Sequence, residues 1–324
     1  MTTAKVVLIT GVKAELRNMF VTGAPENMRV ISVDLETTAE EEISQQLQDA
    51  DFLVIHQAGR RVPDRLIQGA QKLRHIHTPA QGLDHVPLDV AKKMGITVSN
   101  GGGSNAIAVA EHTILLMLAT LKQLPVCIEA VRSGKSGLEI DLASLHQINR
   151  KKVGIIGLGN IGRRVAKMLG GFETETVFYD TADIPQSVVS ELRVSRVSLE
   201  TLLSTSDIVT LLVPLLESTK GMIGWQQLTR IKPSAILINT SRGGVVDEEA
   251  LIRALKEKVI AGAGLDVFAS EPPSQDNPLL HMVNVVTTPH IAGHNWETWL
   301  LLIKDTWDNL ARILEGKEPR NLIK

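Results

Sequence analysis

At 324 residues, 44% of them hydrophobic, the chain exceeds one ordinary domain and is apolar enough to bury two cores. Lys+Arg number 34 against Asp+Glu 36, which removes any electrostatic basis for expecting nucleic acid or a membrane surface as partner. The single cysteine, Cys127, excludes an internal disulfide and fits a reducing compartment, so a cytoplasmic location is expected.

The N-terminus runs directly into a strand-like stretch, without the basic region, apolar core or cleavage site of a signal peptide. Apolar, β-rich runs at Val6–Thr10, Arg29–Val33, Phe52–His56, His75–Pro79 and Ile96–Ser99 alternate with helical compositions at Ala39–Ala50, Pro63–Lys72 and Pro87–Gly95. Such alternation predicts a small parallel α/β sheet. No glycine fingerprint accompanies its turns, so this layer is not expected to bind the nucleotide. Gly101-Gly102-Gly103 then makes a hinge-like break before a long apolar helix, Ala106–Leu124. Glu111, His112 and Lys122 interrupt its apolar run and would be costly in lipid, so a buried helix is expected. The segment Val131–Asn149 is poorly patterned and reads as loop with some helix.

The stretch Lys152–Asp180 reads as strand, glycine turn, helix, strand. Apolar Val153–Ile156 meets Gly157-Leu158-Gly159-Asn160-Ile161-Gly162, after which Val165, Met168 and Leu169 fall at helical spacing. The first glycine permits a tight turn, the second lets backbone approach a pyrophosphate, and the third lets helix pack on strand. Free N–H groups at the helix start hold phosphates. Asp180 lies 18 positions beyond Gly162, where a carboxylate can accept both ribose hydroxyls and repel a 2′-phosphate. The expected cofactor is therefore NAD rather than NADP.

Beyond Asp180, helices are expected at Leu199–Ser204, Trp225–Ile231 and Asp247–Glu257, between strands at Asp207–Val213, Ala235–Asn239, Ala261–Leu265 and Val283–Thr287. This order implies right-handed crossovers and a doubly wound sheet. A last amphipathic helix, Trp296–Leu314, is expected to return to the first domain.

Three groups stand at expected strand ends: Arg242 in Asn239-Thr240-Ser241-Arg242-Gly243-Gly244, Glu271 in Asp266-Val267-Phe268-Ala269-Ser270-Glu271-Pro272, and His290 in Thr288-Pro289-His290-Ile291-Ala292-Gly293. An imidazole can exchange the proton of a hydroxyl as hydride leaves or reaches the same carbon. A carboxylate beside it stabilises the imidazolium, and a guanidinium binds a substrate carboxylate through two parallel hydrogen bonds. With the glycine fingerprint, these motifs resemble the D-isomer-specific 2-hydroxyacid dehydrogenases. The resemblance runs from about Asp51 to Gly293 and includes Gly82-Leu83-Asp84, Val109-Ala110-Glu111 and Val213-Pro214-Leu215.

The resemblance implies two doubly wound α/β domains: a flavodoxin-like substrate domain, 1–104 plus 294–324, and a Rossmann NAD-binding domain, 105–293. It implies Arg242, Glu271 and His290 as catalytic residues, with NAD held by Gly157, Gly159, Asn160, Ile161, Gly162, Asp180, Val213, Pro214, Thr240, Arg242, Asp266, His290 and Gly293. Asp266 resembles the nicotinamide-amide contact. Gln81 and Gly82 resemble the loop that binds substrate with Arg242 and His290. The expected activity is reduction of glyoxylate, hydroxypyruvate or a similar small 2-ketoacid to a D-2-hydroxy acid. A homodimer using the helix Ala106–Leu124 is expected, and no metal, since no metal-ligand spacing is present. Departures from the family pattern surround the substrate: His56-Gln57-Ala58-Gly59-Arg60-Arg61 replaces an arginine followed by a serine, Leu212 replaces a frequent histidine, and His294-Asn295-Trp296 follows Gly293. Trp296 is expected in a core or docking role, since Trp299 and Trp307 share its helix. Two alternatives remain. Ser104-Asn105 with Val109-Ala110-Glu111-His112 looks like formate dehydrogenase, although that branch has glutamine where Glu271 stands, and an NAD(H)-sensing co-repressor would share the fold.

Overall fold

The computed structural model describes residues 3–56 and 60–323. The expected departures at Gln57, Ala58 and Gly59 therefore lie outside the described residues. The chain folds into two compact units, Met1–Asn105 with Asn295–Lys324, and Ala106–His294.

The first unit contains β1 (Ala4–Thr10), β2 (Met28–Val33), β3 (Phe52–His56), β4 (His75–Thr78) and β5 (Thr97–Asn100), all parallel, in the order β2-β1-β3-β4-β5. This is the doubly wound order of the flavodoxin type. Side chains alternate across each strand, so Val7 and Ile9 enter one core with Leu53, Ile55 and Ile76, while Val6 and Leu8 enter another with Phe52 and Val54. The second of these cores includes Trp299, Ile303, Trp307 and Leu310 from the helix Trp296–Leu314, so that helix belongs to the first unit. Trp307 Nε1 donates to the Phe20 carbonyl at 3.1 Å. Trp296, by contrast, is 55% exposed, which removes the core from its two expected roles and leaves docking untested. Its position at the first turn leaves it beyond the stripe that Trp299 and Trp307 share.

The second unit contains β6 (Lys152–Ile156), β7 (Glu175–Tyr179), β8 (Ser195–Arg196), β9 (Ile208–Leu211), β10 (Ile236–Asn239), β11 (Gly262–Leu265) and β12 (Val285–Thr287). All pairs are parallel, in the order β12-β11-β10-β9-β6-β7-β8. The chain leaves β6 in one direction and returns at β9 on its other side, so the winding reverses between β6 and β9. Ligands bind outside the carboxyl ends of the strands at such a switch point. Ile155, Ile236 and Ile238 face a core with Leu116, Met117, Val165 and Leu169 from two helices; Ile156 and Leu237 face the opposite one.

The long helix ends at Leu121 rather than Leu124. Gln123 takes a left-handed φ of 45° and Pro125 starts a new helix, Leu124–Arg132, because proline fits a first turn and not a helix interior. Short 3-10 turns follow at Gly137–Glu139 and Leu142–Ser144. Among the described residues no single helix is long and apolar enough to cross a membrane.

Candidate active site

The glycine turn after β6 uses its three glycines in three ways. Gly157 has φ +97°, and a Cβ there would lie 2.7 Å from the Leu212 carbonyl oxygen, so the turn and the adjacent β9 loop both require its absence. Gly162, buried in the helix Asn160–Leu169, packs on the Gly157 carbonyl, where a Cβ would clash. At Gly159 a Cβ would meet nothing within 4 Å. The protein's own packing does not explain that glycine, whereas close approach of a pyrophosphate does. Gly159 and Asn160 are exposed, Ile161 is half-buried, and no side chain caps the helix they open. Its first N–H groups are thus available to an anion. Asp180, just past β7, accepts hydrogen bonds from Leu158 N at 2.7 Å and Ala182 N at 2.8 Å. These bonds fix the carboxylate beside the glycine turn. Val213 packs on Gly157 from the end of β9, with exposed Pro214 following. These residues fit a dinucleotide.

The side chains expected to carry the chemistry lie farther along the same sheet edge. Thr240 and Arg242 follow β10, Asp266 and Glu271 follow β11, and His290 follows β12. From β6 to β12 is four strand spacings, roughly 19 Å at about 4.8 Å each.

Arg242 is drawn to Glu271 by backbone packing. Gly243 lies so close to the Phe268 carbonyl that any side chain would collide with it. Phe268 N in turn donates to Glu271 Oε1 at 3.1 Å. Glu271 Oε2 sits 2.5 Å from His290 Nδ1. Burial raises the Glu271 pKa, but the hydrogen bond and charge of His290, the Phe268 N–H and the charge of Arg242 outweigh it, and the net shift is downward. The carboxylate therefore stays ionised through the neutral range. With Nδ1 committed to it, His290 has Nε2 left for a reacting proton. Arg242 Nη1 also donates to the Ser241 carbonyl at 2.8 Å, so part of the guanidinium orients its own loop.

Asp266 is fully buried, and its carboxylate takes hydrogen bonds from Thr288, Ile291 N and Ala292 N. It thus wraps the loop bearing His290 and Gly293 around itself. Thr240, also buried, pairs with Thr113 at 2.8 Å. Gln81 and Gly82 belong to the first unit, in the loop leaving the carboxyl end of β4, where the Gln81 carbonyl accepts from Asn100 Nδ2 at 2.9 Å. The sequence reading missed His112 and Thr113, which meet these strand ends from the helix Ala106–Leu121, and Glu248. Glu248 accepts from Ala269 N and Asn277 Nδ2 at 2.9 Å and so steadies the loop of Glu271. His112 had a signal, the Val109-Ala110-Glu111-His112 motif; Glu248 had none. No cluster of side chains that could hold a metal ion occurs among the described residues.

Comparison with known proteins matches residues 114–292 to the family model of the D-isomer specific 2-hydroxyacid dehydrogenase, NAD binding domain. The chain belongs to the D-isomer specific 2-hydroxyacid dehydrogenases. It carries that family's NAD-binding domain on the unit that holds the glycine turn. A glyoxylate reductase of Korarchaeum cryptofilum is 40% identical over 260 residues, 80% of this chain and 78% of that protein. A D-3-phosphoglycerate dehydrogenase of Archaeoglobus fulgidus is 35% identical over 294 residues, 90% of this chain and 55% of that one. The chain thus spans about half the length of the phosphoglycerate dehydrogenases it matches. In three dimensions it is similar to the D-lactate dehydrogenase from Aquifex aeolicus complexed with NAD and lactic acid, with a TM-score of 0.84 and 29% identity over 96% of each chain.

Proposed function

We propose that the protein interconverts a small 2-ketoacid and a D-2-hydroxy acid with NAD(H), working mainly as a reductase. The observation that carries this reading is the 2.5 Å pairing of His290 Nδ1 with Glu271 Oε2 on the sheet edge that bears the glycine turn. NADH, when bound, supplies the hydride. Arg242 binds the substrate carboxylate and draws electron density from the adjacent carbonyl. His290, protonated and backed by the Glu271 carboxylate, gives its Nε2 proton to the carbonyl oxygen as the carbon is reduced; in oxidation it takes that proton back. Asp180 favours NAD because its carboxylate repels a 2′-phosphate.

Glyoxylate and hydroxypyruvate are the proposed substrates, in keeping with the small acid named for the glyoxylate reductase relative. The glutamate at 271 argues against formate oxidation, which has no hydroxyl proton to exchange. Steady-state NADH oxidation across a ketoacid panel tests the reading. Turnover of at least one small 2-ketoacid is expected, and formate-dependent NADH production or partner capture without any ketoacid turnover would refute it. The same proposal includes a cytoplasmic homodimer. Exposed Ile107, Leu115, Leu124, Ile128 and Val131 on the helices Ala106–Leu121 and Leu124–Arg132 support an apolar interface, and light scattering should return twice the chain mass.

A further inference from the structure

His112 has no part in the chemistry above, yet it lies one hydrogen bond from the loop that carries it. Its side chain, 11% exposed, projects from the helix Ala106–Leu121 and places Nε2 2.9 Å from Thr288 Oγ1. The Thr288 hydroxyl gives its one proton to Asp266 Oδ1 at 2.6 Å. It must therefore accept from His112, which fixes the proton of the imidazole on Nε2.

Asp266 passes this constraint on. Its two carboxylate oxygens accept from Ile291 N and Ala292 N at 2.9 Å, and its carbonyl accepts from His290 N at 2.8 Å. The residue so held, His290, has φ +52°, a left-handed conformation that strains any residue with a side chain. Such a conformation persists only when its surroundings over-determine it. Here four bonds, from Thr288 Oγ1, His290 N, Ile291 N and Ala292 N, converge on Asp266. Asp266 also faces His112 directly, with Oδ1 3.6 Å from Nε2. Across Asp266 lie His290 and His294, and the end of β12 contributes the uncharged Thr288 hydroxyl.

We propose that His112 is a positioning residue for His290, acting through Thr288 and Asp266 to hold the left-handed loop that aims the imidazole at substrate. This inference rests on His290 being the proton-exchanging group. It makes the Thr288 hydroxyl a donor relay from a helix to a strand end, and it gives the Glu111-His112 pair a division of labour. Glu111 is exposed, while His112 points inward.

The test compares His112→Ala, His112→Gln, Thr288→Val, the double variant His112→Ala/Thr288→Val, and His290→Ala. Each is assayed with NADH and the fastest of glyoxylate, hydroxypyruvate and pyruvate, for kcat, KM, the pH profile of kcat and the melting temperature. His112→Ala should lower kcat about tenfold and displace the pH profile, with KM and NADH affinity changed by less than about twofold. His112→Gln, whose amide can still donate to Thr288, should recover most of the loss. Thr288→Val should match His112→Ala, and the double variant should be no worse than either, since both cut one chain of bonds. If His112→Ala fails to fold, the glutamine and valine variants carry the comparison. Wild-type kcat and pH profile in His112→Ala and Thr288→Val, beside an inactive His290→Ala, would overturn the inference and leave the proposed function standing. Full activity in His290→Ala would remove both.

Discussion

Each unit holds a histidine site, and the two differ in what faces the ring. His290 is 30% exposed at the side chain and has a carboxylate on Nδ1. His75 and His77, in β4, have exposures of 0% and 1% and are faced by hydroxyls. Thr97 Oγ1 donates to the Arg74 carbonyl, so it accepts from His75 Nδ1. His75 Nε2 then accepts from Ser99 Oγ at 2.8 Å, and Ser99 in turn accepts from His77 Nδ1 at 2.8 Å and Asn309 Nδ2 at 3.0 Å. The Ser99 proton satisfies His75 Nε2 only while His75 is neutral, and His77 Nε2 is buried with no partner among the described residues to receive a second proton. Burial pushes His75 down to about 4; burial, with His75 alongside, pushes His77 down to about 3. The same side chain is thus a proposed proton carrier where a carboxylate and solvent meet it, and a neutral fastener where they do not. Asn309 extends the second role, tying the helix Trp296–Leu314 and, through the Arg320 backbone, the C-terminal segment to β5.

The largest effect separating the two sites should come from His290→Ala, which is expected to lower kcat on the order of 10³-fold with little change in melting temperature. Replacing His77 by Asn should do the reverse, leaving kcat close to wild type and altering stability. Equal loss of kcat in both variants would erase the distinction.

Acid should expose the buried pair next. Because the folded rings titrate below the unfolded value of 6.5, the unfolded chain binds more protons at pH values between the two, and stability rises with pH across that window. The penalty is absent above about pH 6.5, grows as pH falls, and levels off below about 4 and 3 for the two rings. By pH 4 it amounts to about 3 kcal/mol per ring. Urea titrations from pH 7.5 to 4 should show a steeper decline in the wild type than in His75→Asn/His77→Asn; parallel declines would contradict the assignment.

A smaller effect sharpens the same contrast between working and structural positions within the glycine turn. Gly159→Ala meets no neighbour and should fold normally while binding NADH about tenfold more weakly. Gly162→Ala collides with the Gly157 carbonyl and should lose stability instead. Fluorescence titration with NADH and thermal melts separate the two outcomes.

The parts of this molecule that sequence alone revealed are those whose physics is local. Buried parallel strands are short apolar runs, so β6, β7, β10 and β11 were legible, while β8 was not: it has two exposed residues, Ser195 and Arg196. The helix Gln186–Leu192 buries no residue and the helix Ala14–Thr22 only Phe20, so each offers only a short, half-buried apolar face, Val189 and Leu192 in one and Leu16, Met19 and Phe20 in the other. Strand ends were overestimated because apolar patterning continues into loops, as at Leu212-Val213 beyond β9. In the candidate site, Arg242, Glu271 and His290 could be nominated from sequence because each sits in a recognisable motif. The bond from His112 to Thr288 joins residues 176 apart, and the packing of Gly243 on Phe268 depends on two strands lying side by side. Neither leaves a trace in local spacing.

The central claim is that the Glu271 carboxylate supports proton donation by His290. Its most direct test is kcat against pH for ketoacid reduction by the wild type and Glu271→Gln. The account predicts a kcat for the variant that is well below wild type at neutral pH, because a neutral amide no longer stabilises the imidazolium that donates the proton. An unchanged profile with undiminished kcat would contradict it.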